Sequence, residues 1–410
     1  MNRLRRVTAG GIAVCAAAVA MTACGSSGSG GTTAKPKDAI VLTVIIPTVS
    51  KPPTLPYVTS AVKAAAAAVN AKGGISGKQI EIKVCNENNN PNDATKCARQ
   101  AVSDHSVAVV GSFSTSGSQV TSILAKAGIP LVGFGAITPG DYACATCYNF
   151  DAGSTLAFAG LPGALRSQGA KTVTTVTLDL ASAAANVSAV EHAAQSAGLQ
   201  TTSAVKVGLT STDLAPAVQA VEQSKADAAV SVVPAELTAA FLKAAAQAKA
   251  PFTVGAVDGQ INSVLSQIRG TQDDHLLVVS AYPPIDAVAT YPGLAQFTTE
   301  LQAQAKTGDK DAATRDSSSV RAWLAVHVVA QVAAGITGDI TSTSLNDALK
   351  TAKDIDLYGI LPKWTPSAKG HVPGFDRVSN ARVFFMRLND GKFSAAKPIA
   401  GIDLNSGKPF

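Results

Sequence analysis

The sequence predicts an α/β protein of two doubly wound lobes, each a parallel sheet covered by helices. Three observations carry that expectation. From Ile40 onward, apolar β-rich runs alternate with alanine-rich helical stretches. The strand-like runs are continuously apolar rather than alternating, as a parallel sheet buried on both faces requires. The 410-residue chain is also longer than one hydrophobic core usually serves.

The elements follow in order. IVLTVIIP is a strand, and YVTSAVKAAAAAVNAKGG is a helix stopped by its glycines. IEIKVC is the next strand. An asparagine-rich turn then leads through Pro91, with a cap at Asn92 or Asp93, into the helix PNDATKCARQAVSD. VAVVGS, a helix from about Gln119 and IPLVGF complete the first series, and DYACATCYNF is expected to be a loop. The second series opens near Ser154 with a helix, VTTVTLDL, a helix through Val190 and TTSAVKV. It continues with a helix through Val221, ADAAVSVV, a helix from Glu236, FTVGAV, a short helix and HLLVVSAY.

After Tyr282, PPIDAVATYPG marks a change, and long helices follow around Leu294–Ala305 and Ser318–Ile336. TSTSLNDALKTA suggests a capped helix, and Asn389-Asp390-Gly391 between RVFFMRL and KF is a hairpin signal. Late helices returning to the first lobe and late strands joining the second would make the chain cross three times, forming a hinge. Residues 38–152 and 283–350 are accordingly assigned to the N-terminal lobe, and 153–282 and 351–410 to the C-terminal lobe.

Residues 1–23 have the form of a signal peptide. Arg3, Arg5 and Arg6 precede an Ala/Val core of about 15 residues, which suits a signal and is too short to span a bilayer. Met21-Thr22-Ala23-Cys24 resembles a bacterial lipobox, in which the cysteine is lipidated and becomes the first residue. An ordinary secretory peptide, with Cys24 incidental, is the alternative. Residues 24–37 form a flexible Gly/Ser tether. The expected location is the cell envelope, lipid-anchored outside the cytoplasmic membrane.

The formal charge of +6 includes the three leader arginines, and no dense Lys/Arg block appears downstream, so no nucleic-acid partner is expected. VRAWLAVHVVAQVAAGI is interrupted by Arg321, His327 and Gln331, which marks a half-buried helix instead of a membrane span. Setting aside Cys15 and Cys24, the cysteines are Cys85, Cys97, Cys144 and Cys147. An exported chain favours the local disulfides Cys85–Cys97 and Cys144–Cys147 among the three possible pairings. A zinc site is the sharper alternative, but Cys85 and Cys97 lack ligand spacing.

The stretch GGISGKQIEIKVCNENNNPNDATKC holds a Gly-Lys pair, yet it is no phosphate loop. Lys72 stands where a glycine is needed, and Gln79 where Ser or Thr would bind magnesium. Gly133-Phe134-Gly135 is no dinucleotide fingerprint, because Thr138 replaces the third glycine. HExxH and GxSxG are absent, and the histidines do not cluster at ligand spacing. No cofactor, metal or enzymatic activity is expected, since a hydrolase would need a nucleophile with a base in reach.

AAAAAVNAKGGISGKQIEIKVCNENNNPNDATKCARQAVSDHSVAVVGSFSTSGS resembles the first lobe of the leucine/isoleucine/valine-binding protein family, periplasmic binding proteins of type I that deliver solutes to ABC importers. AGIPLVGFGAITP, HLLVVSAY and SSVRAWLAVHVVAQVAAGI extend the likeness over residues 38–410, strongly in the first lobe and loosely in the second. The resemblance implies the type I fold with a three-strand hinge, and a small polar ligand (an amino acid or related amide or aromatic compound) gripped at the strands' carboxyl ends. Ser114 and Thr115 would offer hydroxyl and N–H groups to a ligand carboxylate, with backbone groups from Gly135 and Ala136 and with Thr138 adjacent. Asp258 and Asp151 would take an ammonium, although each equally suits a helix cap, the reading favoured for Asp151.

Two departures stand out. Ala181-Ser182-Ala183-Ala184 occupies the place of the family's Tyr-Gly, and Ile137 that of its threonine. The ligand is therefore not expected to be confined to branched-chain amino acids, and one carrying its own aromatic ring would suit the pocket. The implied partners are ABC permease subunits and the membrane, through the lipid anchor, and a monomer is expected. The alternative function is a ligand-sensing lipoprotein that reports occupancy to a receptor or regulatory partner; co-purification of a permease would separate the two.

Overall fold

The computed structural model describes residues 39–49, 54–137, 139–180, 183–268, 275–389 and 391–410; the leader, Cys24, the whole tether and Thr138 lie outside them. The first series comprises β1 (Ile40–Ile46), α1 (Pro56–Ala71), β2 (Ile80–Asn86), α2 (Pro91–Ser103), β3 (Ala108–Val110), α3 (Gly117–Lys126), β4 (Leu131–Val132), α4 (Pro139–Ala143) and β5 (Cys147–Tyr148). These strands form one parallel sheet in the order β2-β1-β3-β4-β5, with Ile40 opposite Ile80 and Leu42 opposite Ala108. β1 is buried along nearly its whole length because α1 with α12 covers one layer and α2 with α3 another.

The second series begins with α5 (Gly153–Ser167), β6 (Thr172–Leu178), α6 (Ala184–Ser196), β7 (Gln200–Thr201), β8 (Val205–Val207), α7 (Ala215–Gln223) and β9 (Ala228–Val232). It continues with α8 (Ala235–Ala248), β10 (Thr253–Val257), α9 (Asp258–Ile261), α10 (Leu265–Ile268) and β11 (Leu276–Ser280). Three helices follow, α11 (Gly293–Ala305), α12 (Ser317–Ala334) and α13 (Ser342–Thr351), and then β12 (Arg382–Asn389), β13 (Lys392–Ala395), β14 (Gly401–Asp403) and β15 (Lys408–Pro409). The second sheet runs β15-β14-β12-β11-β10-β9-β6-β7, with β8 also on β6 and β13 on β12. Its β6–β11 part is parallel, and the C-terminal strands add to β11 in antiparallel fashion. The sheet is therefore mixed, where a parallel one was expected.

Local signals explain most boundaries. Pro56 opens α1, where its missing N–H costs nothing. The cap of α2 is Asn90, not Asn92 or Asp93, because Pro91 takes the first helical position; the Asn90 side chain accepts from Asn92 N at 2.8 Å. Asp316 caps α12 reciprocally with Ser319, both bonds at 2.8 Å. TTSAVKV forms two short strands, not one, and the expected loop DYACATCYNF contains α4 and β5. Short two-residue strands carry too little apolar pattern to be seen in sequence. Cys85–Cys97 ties β2 to α2 and Cys144–Cys147 ties the end of α4 to β5, with Cα separations of 5.6 and 5.2 Å.

Helix α12 crosses very close to the carboxyl ends of β3 and β4. A Cβ on Gly111 would stand 2.6 Å from Ala322, and one on Gly133 would stand 2.9 Å from Ala325. Both glycines also have positive φ, +57° and +62°. The segment between α13 and β12 returns over this first layer. Trp364 packs on Phe150, Arg377 donates to Ala145 O and Cys147 O, and Asn380 donates to Phe150 O at 3.0 Å. Glu300 fastens α11 to α12 by accepting from Trp323 Nε1 at 2.6 Å and pairing with His327 Nε2 at 2.9 Å.

Gly111→Ala combines a left-handed backbone with overpacking against α12, so it is expected to cost about 2–4 kcal/mol in urea unfolding. A loss under about 0.5 kcal/mol would show that α12 can move away freely.

Candidate functional site

Open α/β sheets bind ligands outside the carboxyl ends of their strands, where the strand order reverses. In the first sheet the reversal lies between β1 and β3, and in the parallel part of the second between β6 and β9. The residues at these points are Thr48 and Val49 after β1, Phe113 to Thr115 after β3, Asp179 and Leu180 after β6, and Val233 and Pro234 after β9. Val49 is 78% exposed and Leu180 49%, both unusual for large apolar side chains in this chain.

A buried polar network centred on Arg321 of α12 joins Asp151, after β5, to the ends of β10 and β11. The Arg321 Nε donates to Asp151 Oδ2 at 2.7 Å, and its guanidinium lies 5.7 Å from the Tyr282 ring centroid. Tyr282 donates to the same carboxylate oxygen, while Asp151 Oδ1 accepts from Gly153 N at 2.8 Å. Asp151 and Tyr282 stand where the chain leaves the first sheet and returns to it. Asp258, at the end of β10, accepts from Ser280 Oγ at 2.7 Å, from Gly259 N and from Ser317 at the start of α12. Beside it, the α12 cap Asp316 accepts from Tyr57 at 2.8 Å, joining the start of α1 to the same group.

Burial sets the charge states. Desolvation pushes the Asp258 carboxyl up from its usual range, against the lowering effect of Ser317, Ser280 and Arg321. Asp316 is pushed up in the same way. For Arg321 desolvation works against the charge, but Asp151, Tyr282 and Asp258 together outweigh it and hold the guanidinium more firmly protonated than usual.

The expected site residues divide into two groups. Asp151 and Asp258 come together around Arg321, and Asp151 supplies a turn bond to Gly153 N near the start of α5, in keeping with the cap reading. Ser114 is fully buried, and its hydroxyl donates to Glu87 Oε2 at 2.6 Å and accepts from Ser116 N, so it is spent inside the first layer. Gly135 N donates to Ser112 O, Ala136 N to Phe134 O, and Ala136 O accepts from Tyr142. Thr115 is exposed on the same loop. Glu87, Arg321, Tyr282 and Tyr57 escaped the sequence reading. For Arg321 a signal was present: a lone cation interrupting an otherwise apolar helix. Among the described residues no cluster of three or more metal-ligating side chains occurs, and no helix is long and apolar enough to cross a membrane.

Fold and site together define a two-sheet protein whose chain passes between its sheets at a buried polar network. The chain belongs to the periplasmic binding protein family, whose sequence pattern matches residues 52–392. This is an extracytoplasmic solute-binding family, not an enzyme family. Among curated proteins no match is found. Similar solved structures include an extracellular ligand-binding receptor from Verminephrobacter eiseniae, with TM-score 0.71 and 16% identity over 87% of this chain and 99% of that one. Another is a branched-chain amino acid transporter substrate-binding protein from Streptococcus pneumoniae, in complex with isoleucine (TM-score 0.69, 17% identity, 89% of this chain and 100% of that one). A third is an ABC-transporter solute-binding protein from R. palustris, in complex with 4-hydroxybenzoate (TM-score 0.69, 19% identity, 90% and 98% covered). The likeness to the leucine/isoleucine/valine-binding proteins and the type I fold are thereby shown.

Replacing Asp151 by Asn leaves the Arg321 charge buried without its counterion and is expected to cost about 3–5 kcal/mol. Asp258→Asn should behave differently. Its raised carboxyl contributes stability that is present below about pH 4 and lost as pH rises through the folded value, so the amide should flatten that fall without a comparable loss at neutral pH. Thermal unfolding of both variants between pH 3 and 8 checks the contrast, and equal losses at pH 7 would contradict it.

Proposed function

We propose that this chain is the solute-capturing lipoprotein of an ABC importer, held outside the cytoplasmic membrane by a lipid on Cys24 and acting as a monomer on its permease. The observation that supports it most is the Arg321 network, which joins Asp151 to the ends of β10 and β11 at the points where the chain passes between the two layers. Such a junction lets a ligand that touches both lobes stabilise a closed state by hinge motion. One lobe would comprise residues 38–152 and 283–350, the other 153–282 and the C-terminal strands. The contacts of Trp364, Arg377 and Asn380 favour keeping residues 351–381 with the first lobe, so that the last crossing falls near Ala381 instead of Lys350.

The ligand would be a small polar solute of the amino acid, amide or aromatic class, touching the loop of Ser114 and Thr115, the loop of Gly135, Ala136 and Thr138, and the Asp151 and Asp258 side. The relatives' isoleucine and 4-hydroxybenzoate share a carboxylate, which fits that range. Thermal unfolding of the chain from about Thr32, against amino acids, amides, small aromatic acids, nucleosides and sugars, tests the reading. A ligand at 1,000 times its Kd should add roughly 4 kcal/mol, and Thr115→Ala should reduce the shift. Silence across the panel, with no small molecule carried through purification, would overturn it. Cys24→Ala should release the full chain from the membrane fraction; continued membrane association would remove the lipid-anchor part.

A further inference from the structure

Resting on the solute-capture reading, we propose that Arg321 anchors the charged end of the ligand, so that the captured solute is a carboxylate with an apolar or aromatic body and no α-ammonium. Three observations lead there. The first is the state of Arg321. Only Nε of its guanidinium is engaged, with Asp151, and among the described residues neither Nη group has a hydrogen-bond partner. The side chain is 10% exposed, so these donors are largely stripped of water without being sealed from solvent. A planar pair of unsatisfied donors in that setting matches a carboxylate in geometry and charge.

The second observation is the commitment of the acids an ammonium would need. Asp151 has both oxygens occupied, by Gly153 N on one side and by Tyr282 and Arg321 on the other. Asp316 is taken by Ser319 N and Tyr57, and Glu87 by Asn89 N and Ser114. Asp258 is 9% exposed and already accepts from Ser280 and Gly259. Burial also pushes its carboxyl toward the neutral form, which weakens both its attraction for an ammonium and its competition with a ligand carboxylate for Arg321.

The third observation is the apolar character of the rim. At the two strand-order reversals the exposed or half-buried side chains include Val49, Phe113 and Leu180. Exposed apolar groups at a crevice mark a ligand or partner surface, and here they sit on both sheets. An apolar body between these rims, with its carboxylate on Arg321, uses all three features at once.

The test compares ligands that differ only at the amino group: 3-phenylpropionate against phenylalanine, and 4-methylpentanoate against leucine, with 3-phenylpropionamide as the neutral control. Calorimetric titration of the intact chain is expected to show at least one carboxylate binding about tenfold or more tightly than its amino acid and its amide. Arg321→Lys, which keeps the charge beside Asp151 but loses the paired donors, should weaken that carboxylate by about tenfold or more while the protein still unfolds cooperatively. Equal or tighter binding of the amino acids would overturn the proposal and leave solute capture standing, as would an unchanged affinity in Arg321→Lys. If neither skeleton binds but another solute of the wider panel does, an ammonium on that solute overturns the proposal and a carboxylate without one supports it. Silence throughout would overturn solute capture and this proposal together.

Discussion

The ion pair between Arg321 and Asp151 is the constraint on which the rest of the structure depends. It joins a helix of the first layer to the residue at which the chain departs for the second, and Tyr282, where the chain comes back, bonds to the same carboxylate. A pair this deeply buried contributes little net stability, because desolvating both charges offsets most of their attraction. What it contributes is position. With either partner missing the other is an uncompensated buried charge, so the two crossings are held in a single arrangement. The close passage of α12 over Gly111 and Gly133 sets where that arginine can reach.

The fold was legible because it is written in composition over long stretches. β1, α1, β2, α2, β6 and β9 to β11 each carry several apolar residues in a run or on one face. What escaped the sequence is short or non-local. Cys147-Tyr148 becomes a strand only because β4 lies beside it, and the antiparallel growth of the second sheet depends on β11 offering a free edge to β12. Residues 351–381 pack through single side chains such as Trp364 and Arg377, which leave no periodic trace.

The site was legible in part, for the same reason. Position along the chain found Asp151 and Asp258, since acids after strand ends are conspicuous. Sequence could not say that Ser114 would turn inward to Glu87, or that a cation 170 residues from Asp151 would reach its carboxylate at 2.7 Å. A local reading therefore gave Ser114 and the two acids to the ligand. Packing instead gives them largely to the protein and, among the described residues, leaves the arginine's Nη donors without a hydrogen-bond partner.

Ligand-driven closure of the two lobes over the Arg321 junction is the central claim. Small-angle X-ray scattering of the chain from about Thr32, with and without a solute that raises its unfolding temperature, tests it most directly. The account predicts a smaller radius of gyration with the solute bound, as the strand ends of both sheets close on it. An unchanged radius at saturation would contradict it, since binding would then engage one lobe alone.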